Sequence, residues 1–416
     1  MNKKKILNDP VYGFIHIQND LVYDIIQHPY FQRLRRIKQL GLSDFVYPGA
    51  LHTRFHHALG AMHLMGKALD TLRAKGHMIF ETEYEAALIA ILLHDIGHGP
   101  FSHTLEFSLF DKVKHEQITL WILRRLNQQF NGRLELAIQI YEGKYPRKFL
   151  TQLVSSQLDT DRMDYLKRDS YFTGVQEGTI GAERILKMLN VVDDQLVVEE
   201  KGIYSIESFL SARRIMYWQV YLHKTSISAE KMLTQLIRRA RFLRKKGVDV
   251  MATPAFSYFL ERNISASDFD EDPDLLEIFM TLDDTDIWGS IKFWVHHDDT
   301  ILQMLANMLV RRHLFGIRTF SKKVPQKVIS QLKQRVKDQY GFSSAEVSYF
   351  VHAGEVSNSA YLPKGERINI LSKNGKIMDI ARAVDLPNIK AISKIVKKYY
   401  LCWPKDVSLG VDINAL

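Results

Sequence analysis

The sequence predicts a mainly α-helical protein with one small hairpin and a smaller α/β subdomain at its C-terminal end. Three observations predict this. Apolar residues recur at helical spacing through most of roughly the first 320 positions. Short apolar stretches on either side of Asp193-Asp194 read as a hairpin. Strand-like runs, Val347-Ser348-Tyr349-Phe350-Val351 and Ile368-Asn369-Ile370-Leu371, gather in the tail. At 416 residues the chain is long enough for a large core and more than one substructure. The predicted division is 1–324, helical, and 325–416, α/β.

The elements follow in order. Tyr30 to Leu40 places Phe31, Leu34, Ile37 and Leu40 at helical spacing and stops at Gly41, predicting a helix. Phe55 to about Ala74 reads as a second. Thr82-Glu83-Tyr84-Glu85 reads as a capping box, so a helix is expected from Glu83 through the apolar run Ala86 to Leu93. His115 to Gln129 is amphipathic. Arg147 to Lys167 contains a further helical stretch, ending in Leu158 to Tyr165. Val191-Val192 and Gln195 to Glu199 form the predicted hairpin. Helices are expected again from Ser205 to Phe242 and Ile301 to Arg312, and a basic helix over Asn388 to Tyr400.

Hydrophobic content of 46% and charged content of 25% are those of an ordinary globular protein. The single cysteine, Cys402, excludes an internal disulfide and a thiolate metal cluster. Any metal must bind through His, Asp or Glu. The basic start, Met1 to Pro10, has no apolar core behind it and does not read as a signal peptide. No apolar run reaches membrane-spanning length, so a cytoplasmic location without membrane association is expected. A net charge of +9 suits a polyanionic partner. Sixteen histidines, most of them before position 120, are the compositional outlier.

The densest group of them is His94-Asp95-Ile96-Gly97-His98-Gly99-Pro100-Phe101-Ser102-His103, at the end of the apolar run. A His-Asp pair at the end of a buried helix is held rigidly at the edge of the core, as a metal site requires. Three more features line up with it: Arg54-Phe55-His56-His57, His115-Glu116, and Asp161 within Asp159-Thr160-Asp161-Arg162. A hydrolytic site needs three or four N/O ligands and a position left for water. His57, His94, Asp95 and Asp161 supply that set for one divalent ion, with Mn, Fe, Zn, Ni and Mg all compatible. His98 faces the same cleft, His115 and Glu116 suit an acid/base pair, and His103 can reach a phosphate. Arg54, Arg162, Lys167 and Arg168 can neutralise a phosphate chain.

The order of these motifs resembles the HD-domain metal-dependent phosphohydrolases. Asn8 to Gly13, Phe31 to Gly41, Pro48-Gly49-Ala50, Arg54 to Gly60 and His94 to His103 are similar to the deoxynucleoside triphosphate triphosphohydrolase (dNTPase) branch, which includes the human SAM- and HD-domain restriction factor. The resemblance covers roughly residues 5 to 240 and implies a helical HD core over about 50–170. It implies hydrolysis of a dNTP to deoxynucleoside and triphosphate at one divalent metal held by His57, His94, Asp95 and Asp161. By the same resemblance His98, His115 and Glu116 are catalytic, with His115 the acid for the leaving 5′-oxygen. Arg54, His103, Arg162 and Arg213 contact phosphate, Gln39 and Asp169 the sugar 3′-hydroxyl, and Tyr165 and Tyr221 wall off a 2′-hydroxyl. A nucleotide-activator site is half present: Lys5, Asn8 and Arg35 fit it, whereas Gln27 stands where activated relatives carry Asp. Glu106 stands where relatives often have Asp. A homo-oligomer is expected, and no SAM domain, because the stretch before Arg54 is too short to hold one. The alternatives are an HD phosphohydrolase acting on another nucleotide or phosphoester, or a nucleotide- or nucleic-acid-binding regulator using the basic segment Lys390 to Lys398.

Overall fold

The computed structural model of the chain describes residues 5–17, 19–101, 104, 108–358, 361, 367–383 and 395–408. His103, Glu106 and the segment from Asn388 to Lys394 lie outside the described residues. The protein is mainly α-helical, with small sheets. Its centre is the helix α2 (Glu81–Leu93), approached on one side by α1 (Arg54–Ala74), which in turn packs on α4 (Thr160–Thr173). On α2, Ala86, Ala87 and every residue from Ile89 to Leu93 are buried, so the helix is apolar all round and must run through the core. Each such Leu or Ile contributes about 1.5–3 kcal/mol relative to exposure, which makes the helix end a firm platform. α3 (His115–Gln129) lies beside the turn that follows α2, and α5 (Ile203–Met216) and α6 (Lys224–Lys245) close the other flank.

Strands β1 (Lys5–Asp9) and β2 (Gly13–Ile17) form an antiparallel hairpin. β3 (Leu189–Val192) and β4 (Gln195–Glu199) form the predicted one, with Asp193 and Asp194 both at positive φ between them. β4 then pairs in parallel with β7 (Asn369–Leu371), which pairs with β8 (Ile377–Asp379). β9 (Val396–Trp403) lies between β5 (Gly316–Phe320) and β6 (His352–Asn358). Two of the sheets thus join residues on the two sides of position 325. No helix among the described residues is long and apolar enough to cross a membrane.

Five local expectations need correction. The stretch Tyr30 to Leu40 is not one helix: Pro29–Gln32 is a single α turn, Arg33–Arg36 a 3₁₀ turn, and Ile37 is extended. Its later amides bond across the fold instead, Lys38 N–H to Asp284 Oδ2 (2.8 Å) and Gln39 N–H to the His52 carbonyl (3.0 Å). α2 starts at Glu81, with Phe80 as its cap; Glu83 accepts the Phe80 N–H (2.9 Å), so Thr82 is not the cap. Leu158 and Asp159 do not end a helix but precede α4, whose cap is Asp159, and Asp161 therefore lies in the first turn. Val347 ends a short helix, Ser344–Val347, capped by Ser343; the strand begins only at His352. The basic segment from Val396 to Tyr400 is strand, the start of β9, because Val396 to Lys398 pair with β6 and Tyr399 and Tyr400 pair on both sides.

Candidate metal centre and substrate cavity

Three helix ends deliver one cluster. His57 sits in the first turn of α1, His94 caps the C-terminus of α2, and Asp161 sits in the first turn of α4. His57 Nε2 is 3.4 Å from His94 Nε2 and 3.1 Å from Asp161 Oδ1; His94 Nε2 is 3.3 Å from the same oxygen. Atoms about 2.1 Å from one ion at tetrahedral or octahedral angles stand about 3–3.4 Å apart, so this set fits a divalent cation. The far side of each ring is already used. His57 Nδ1–H donates to Asp164 Oδ2 (2.8 Å) and His94 Nδ1–H to the Ile91 carbonyl (2.7 Å). A neutral imidazole so tied must present its Nε2 lone pair inward.

Asp164 is itself held. It accepts from Arg168 Nε (2.9 Å) and Nη2 (3.0 Å), and Arg168 Nη1 reaches Asp9 Oδ2 (2.7 Å). Asp9 in turn accepts the Val11 and Tyr12 amides and so turns the β1–β2 hairpin. A Cβ at Gly60 would strike Asp164 and Arg168, which is why α1 can approach α4 this closely only with glycine there.

Burial works against a charged His57, but Asp161 and Asp164 outweigh it and push its pKa up to about 10. His94 is raised too, against burial, by Asp95 and Asp161. Asp161 opposes its own burial penalty through the two histidines and is held below the ordinary carboxylate range. Protons and a divalent cation compete for the same lone pairs here.

Asp95 stands at the rim. Its Oδ1 is 3.5 Å from His94 Nε2 and 3.6 Å from His98 Nδ1, its Oδ2 is 3.8 Å from His57 Nε2, and Arg54 Nη1 donates to that Oδ2. Asp95, His98 and His115 form a second convergent group, with the His98 and His115 rings 3.8 Å apart. Gly97 makes this possible. A Cβ there would meet the His115 carbonyl and the Thr119 amide, so only glycine lets the turn after α2 lie against α3. His115 Nδ1 is 3.5 Å from Glu116 Oε2, which is a loose pair.

Beside the cluster opens a cavity of about 930 Å³, within the range of small-molecule sites. Arg54, His98, His115, Glu116 and Arg162 lie in its wall near the cluster. Gln39, Tyr165, Asp169 and Tyr221 lie there too. Tyr221 donates to Asp169 Oδ2 (2.8 Å) and His52 Nε2–H to Asp169 Oδ1 (2.7 Å). Tyr165 and Tyr221 meet edge to face, 6.0 Å between centroids.

The matches to known proteins agree with this geometry. The HD-domain family model matches residues 54–169, and the HD associated region matches 180–252. The uncharacterized protein YwfO of Bacillus subtilis is 32% identical over 98% of this chain and 94% of its own length. A crystal structure of a phosphohydrolase from Bacteroides thetaiotaomicron is 51% identical, covers 96% of this chain and 100% of that one, and superposes with a TM-score of 0.94. The chain belongs to the HD-domain phosphohydrolases. The deoxynucleoside triphosphate triphosphohydrolase SAMHD1 homolog of Dictyostelium discoideum is 33% identical over 58% of this chain and 50% of its length. This HD phosphohydrolase thus spans about half of that relative.

HD domains bind a divalent metal, and among the described residues two groups could hold one: His57, His94 and Asp161, and Asp95, His98 and His115. Not every expected contact reaches the cavity of this HD phosphohydrolase. Arg213 is buried beside Tyr165 rather than in the wall; its Nε and Nη1 are without a partner among the described residues. Arg168, read as a phosphate neutraliser, is fully buried and committed to Asp164 and Asp9. Lys167 stands over the Tyr12 ring and lines a different cavity. Lys5, Asn8 and Arg35, expected at a separate activator site and not in this cavity, lie outside its wall, Lys5 above the Tyr23 ring and Arg35 above Phe55.

Sequence reasoning missed Asp164, although its spacing from Asp161 and Arg168 on one helix was available. It also missed Asp284. This residue opens α7 (Asp284–Trp294) and accepts the amides of Lys38 and Phe101 (2.9 Å), fixing both loops of the cavity; burial pushes its pKa up to about 6. Nothing local marks it, because its partners lie far back in the chain.

Proposed function

We propose that this HD phosphohydrolase is a dNTP triphosphohydrolase, converting a dNTP and water to deoxynucleoside and inorganic triphosphate. One observation carries the reading: a single cavity joins a metal-competent His/Asp cluster and its cations to a polar, aromatic-walled pocket. In that pocket Gln39 Oε1 is buried without a partner among the described residues, an acceptor aimed where a hydroxyl donor would sit. Tyr165 and Tyr221, in edge-to-face contact and with Tyr221 tied to Asp169, suit a flat sugar face with no room for a 2′-hydroxyl. The similarity to a SAMHD1 homolog supports the same substrate class.

His57, His94 and Asp161, with Asp95 beside them, would hold the cation. A divalent ion bound there supplies Lewis acidity to a phosphate oxygen and lowers the pKa of water. Arg54 and Arg162 then offset the charge of the phosphate chain, with the unpartnered donors of Arg213 behind them. Water oxygen bonds to the α-phosphorus and the bond from phosphorus to the 5′-oxygen breaks. His115 gives that oxygen its proton, steadied by His98 and Glu116.

The wall makes a testable demand. With a panel of dNTPs and ribonucleotides, the protein is expected to turn over the deoxy series only. Tyr165→Ala is expected to narrow the gap between the two series by about tenfold or more, since a steric wall is worth on the order of 1–3 kcal/mol. Equal turnover of both series by the unaltered protein would instead favour a general phosphoester hydrolase.

A further inference from the structure

α6 passes the metal cavity and carries a basic stripe beyond it. Glu230 and Thr234 line the metal cavity. Thr234, Arg238, Arg241 and Lys245 then follow at i, i+4, i+7 and i+11, one face of the helix. They line a second cavity of about 830 Å³, whose other walls include Asn263, Ser348 and Tyr349. Ser108 and Thr234 belong to both cavities, so the two are neighbours across one partition.

The partners of these cations are neutral. Arg238 donates to Gln235 Oε1 (3.0 Å) and Ser348 Oγ (3.3 Å) and stacks over the Tyr349 ring at 4.7 Å. Arg241 donates to the carbonyls of Ser108, Leu109 (3.1 Å) and Arg262 (2.7 Å) and to Asn263 Oδ1 (3.0 Å). Lys245 shares Asn263 Oδ1 (2.9 Å). The next cation, Arg239, shows the ordinary arrangement, a two-pronged pair with Asp299. Among the described residues, the wall sets one carboxylate, the exposed Asp111, against the three unpaired cations. A basic surface with no further role is usually convex, mobile and solvated. Arg238 and Lys245 are exposed and Arg241 half-buried, yet all three are held by neutral acceptors around a concavity, with their charge unspent.

We propose that this second cavity is a binding site for a polyphosphate group, separate from the metal centre. The spread of its three cations along about two helical turns, Arg238 to Lys245, suits a chain of phosphates better than a single one. Its place in the reaction, as the station beside the cavity that releases triphosphate, rests on the dNTPase reading. The binding itself does not.

The test is titration calorimetry on the full chain in chelator, where no turnover occurs, with inorganic triphosphate and with dATP as probes. Arg238→Ala/Lys245→Ala is compared with Lys322→Ala/Lys323→Ala, which removes two exposed lysines elsewhere. Thermal melting checks that both are folded. Inorganic triphosphate is expected to bind the stripe variant about tenfold or more weakly, as loss of two charge-assisted contacts implies, and the control as it binds the unaltered chain. A parallel loss for dATP assigns the site to a nucleotide's tail, and unchanged dATP affinity assigns it to free triphosphate. Equal triphosphate affinity in the stripe variant and the unaltered chain would overturn the proposal, as would an equal loss in the control. Because no hydrolysis is measured, failure here leaves the dNTPase reading standing, and failure of that reading leaves this site standing.

Discussion

Alanine at Asp161 is expected to remove both bound metal and hydrolysis while leaving the fold intact. Asp161 Oδ1 lies 3.1 and 3.3 Å from the two Nε2 atoms and, among the described residues, is the one carboxylate oxygen close to both. It is partly exposed at the cavity, so its loss opens no void in the core. Without it the two imidazoles keep only Asp95, whose oxygens stand 3.5 and 3.8 Å from their Nε2 atoms and which also accepts from Arg54, too loose a set to hold a hydrolytic ion firmly. The expected result is stoichiometric metal in the unaltered protein, little in Asp161→Ala by elemental analysis, and a fall in kcat on the order of 10³ or more. That is the several kcal/mol that metal polarisation supplies. Melting within a few degrees of the parent shows that the loss is local. Full metal content with full activity in the variant would mean that the ion sits elsewhere, at the Asp95, His98 and His115 group.

The second large effect is on stability. Arg168→Met is expected to cost about 3–5 kcal/mol, because it strips the partner from two buried carboxylates, Asp164 and Asp9. The pH dependence follows from the sign of the Asp164 shift. Burial alone would raise its pKa, but Arg168, and after it His57, outweigh burial and hold it below the ordinary range. A carboxyl with a depressed folded pKa stabilises the protein above its unfolded value of about 3.9 and loses that contribution as pH falls. Denaturant unfolding of the parent is therefore expected to weaken steeply below about pH 4. In Arg168→Met the partner is gone and burial dominates, so the deficit should be largest near neutrality and shrink toward acid. A deficit under about 1 kcal/mol at every pH would show that the pair carries no such weight.

Both effects trace to a buried line that runs from the β1–β2 turn through Asp9, Arg168 and Asp164 to His57. Its members were visible in the sequence only one by one. Asp161, Asp164 and Arg168 share a face of α4, but their division into a metal-facing and a core-facing set depends on how α1 docks. That docking is set by Gly60 and long-range packing. By contrast, α1 and α3 were legible almost to the residue, because each has polar positions against a long apolar stripe. His57 and His94 were legible because each stands at the end of a clearly patterned helix, whereas Asp161 was read near the end of a helix and stands in the first turn of α4.

Where periodicity misled, the backbone had other partners. Phe31, Leu34 and Ile37 are all buried, as their spacing requires, yet Arg36 and Lys38 are captured by Asp283 and Asp284 from α7 and its cap. A helical spacing of apolar residues says which side chains go inside, not where the amides bond. In β9 the lysines Lys397 and Lys398 suggested part of a basic helix. Lys397 pairs with Glu355 on the neighbouring strand, and Lys398 covers the ring of Trp218 in the helical turn Tyr217–Tyr221, so both cations have partners in the strand arrangement.

The most direct test of the dNTPase reading is the identity of the products. With a dNTP and a divalent metal, chromatography of the quenched reaction is expected to give deoxynucleoside and intact inorganic triphosphate in equal amounts. Release of single phosphate or pyrophosphate, or no turnover of any dNTP with any of Mn, Fe, Zn, Ni or Mg, would contradict it.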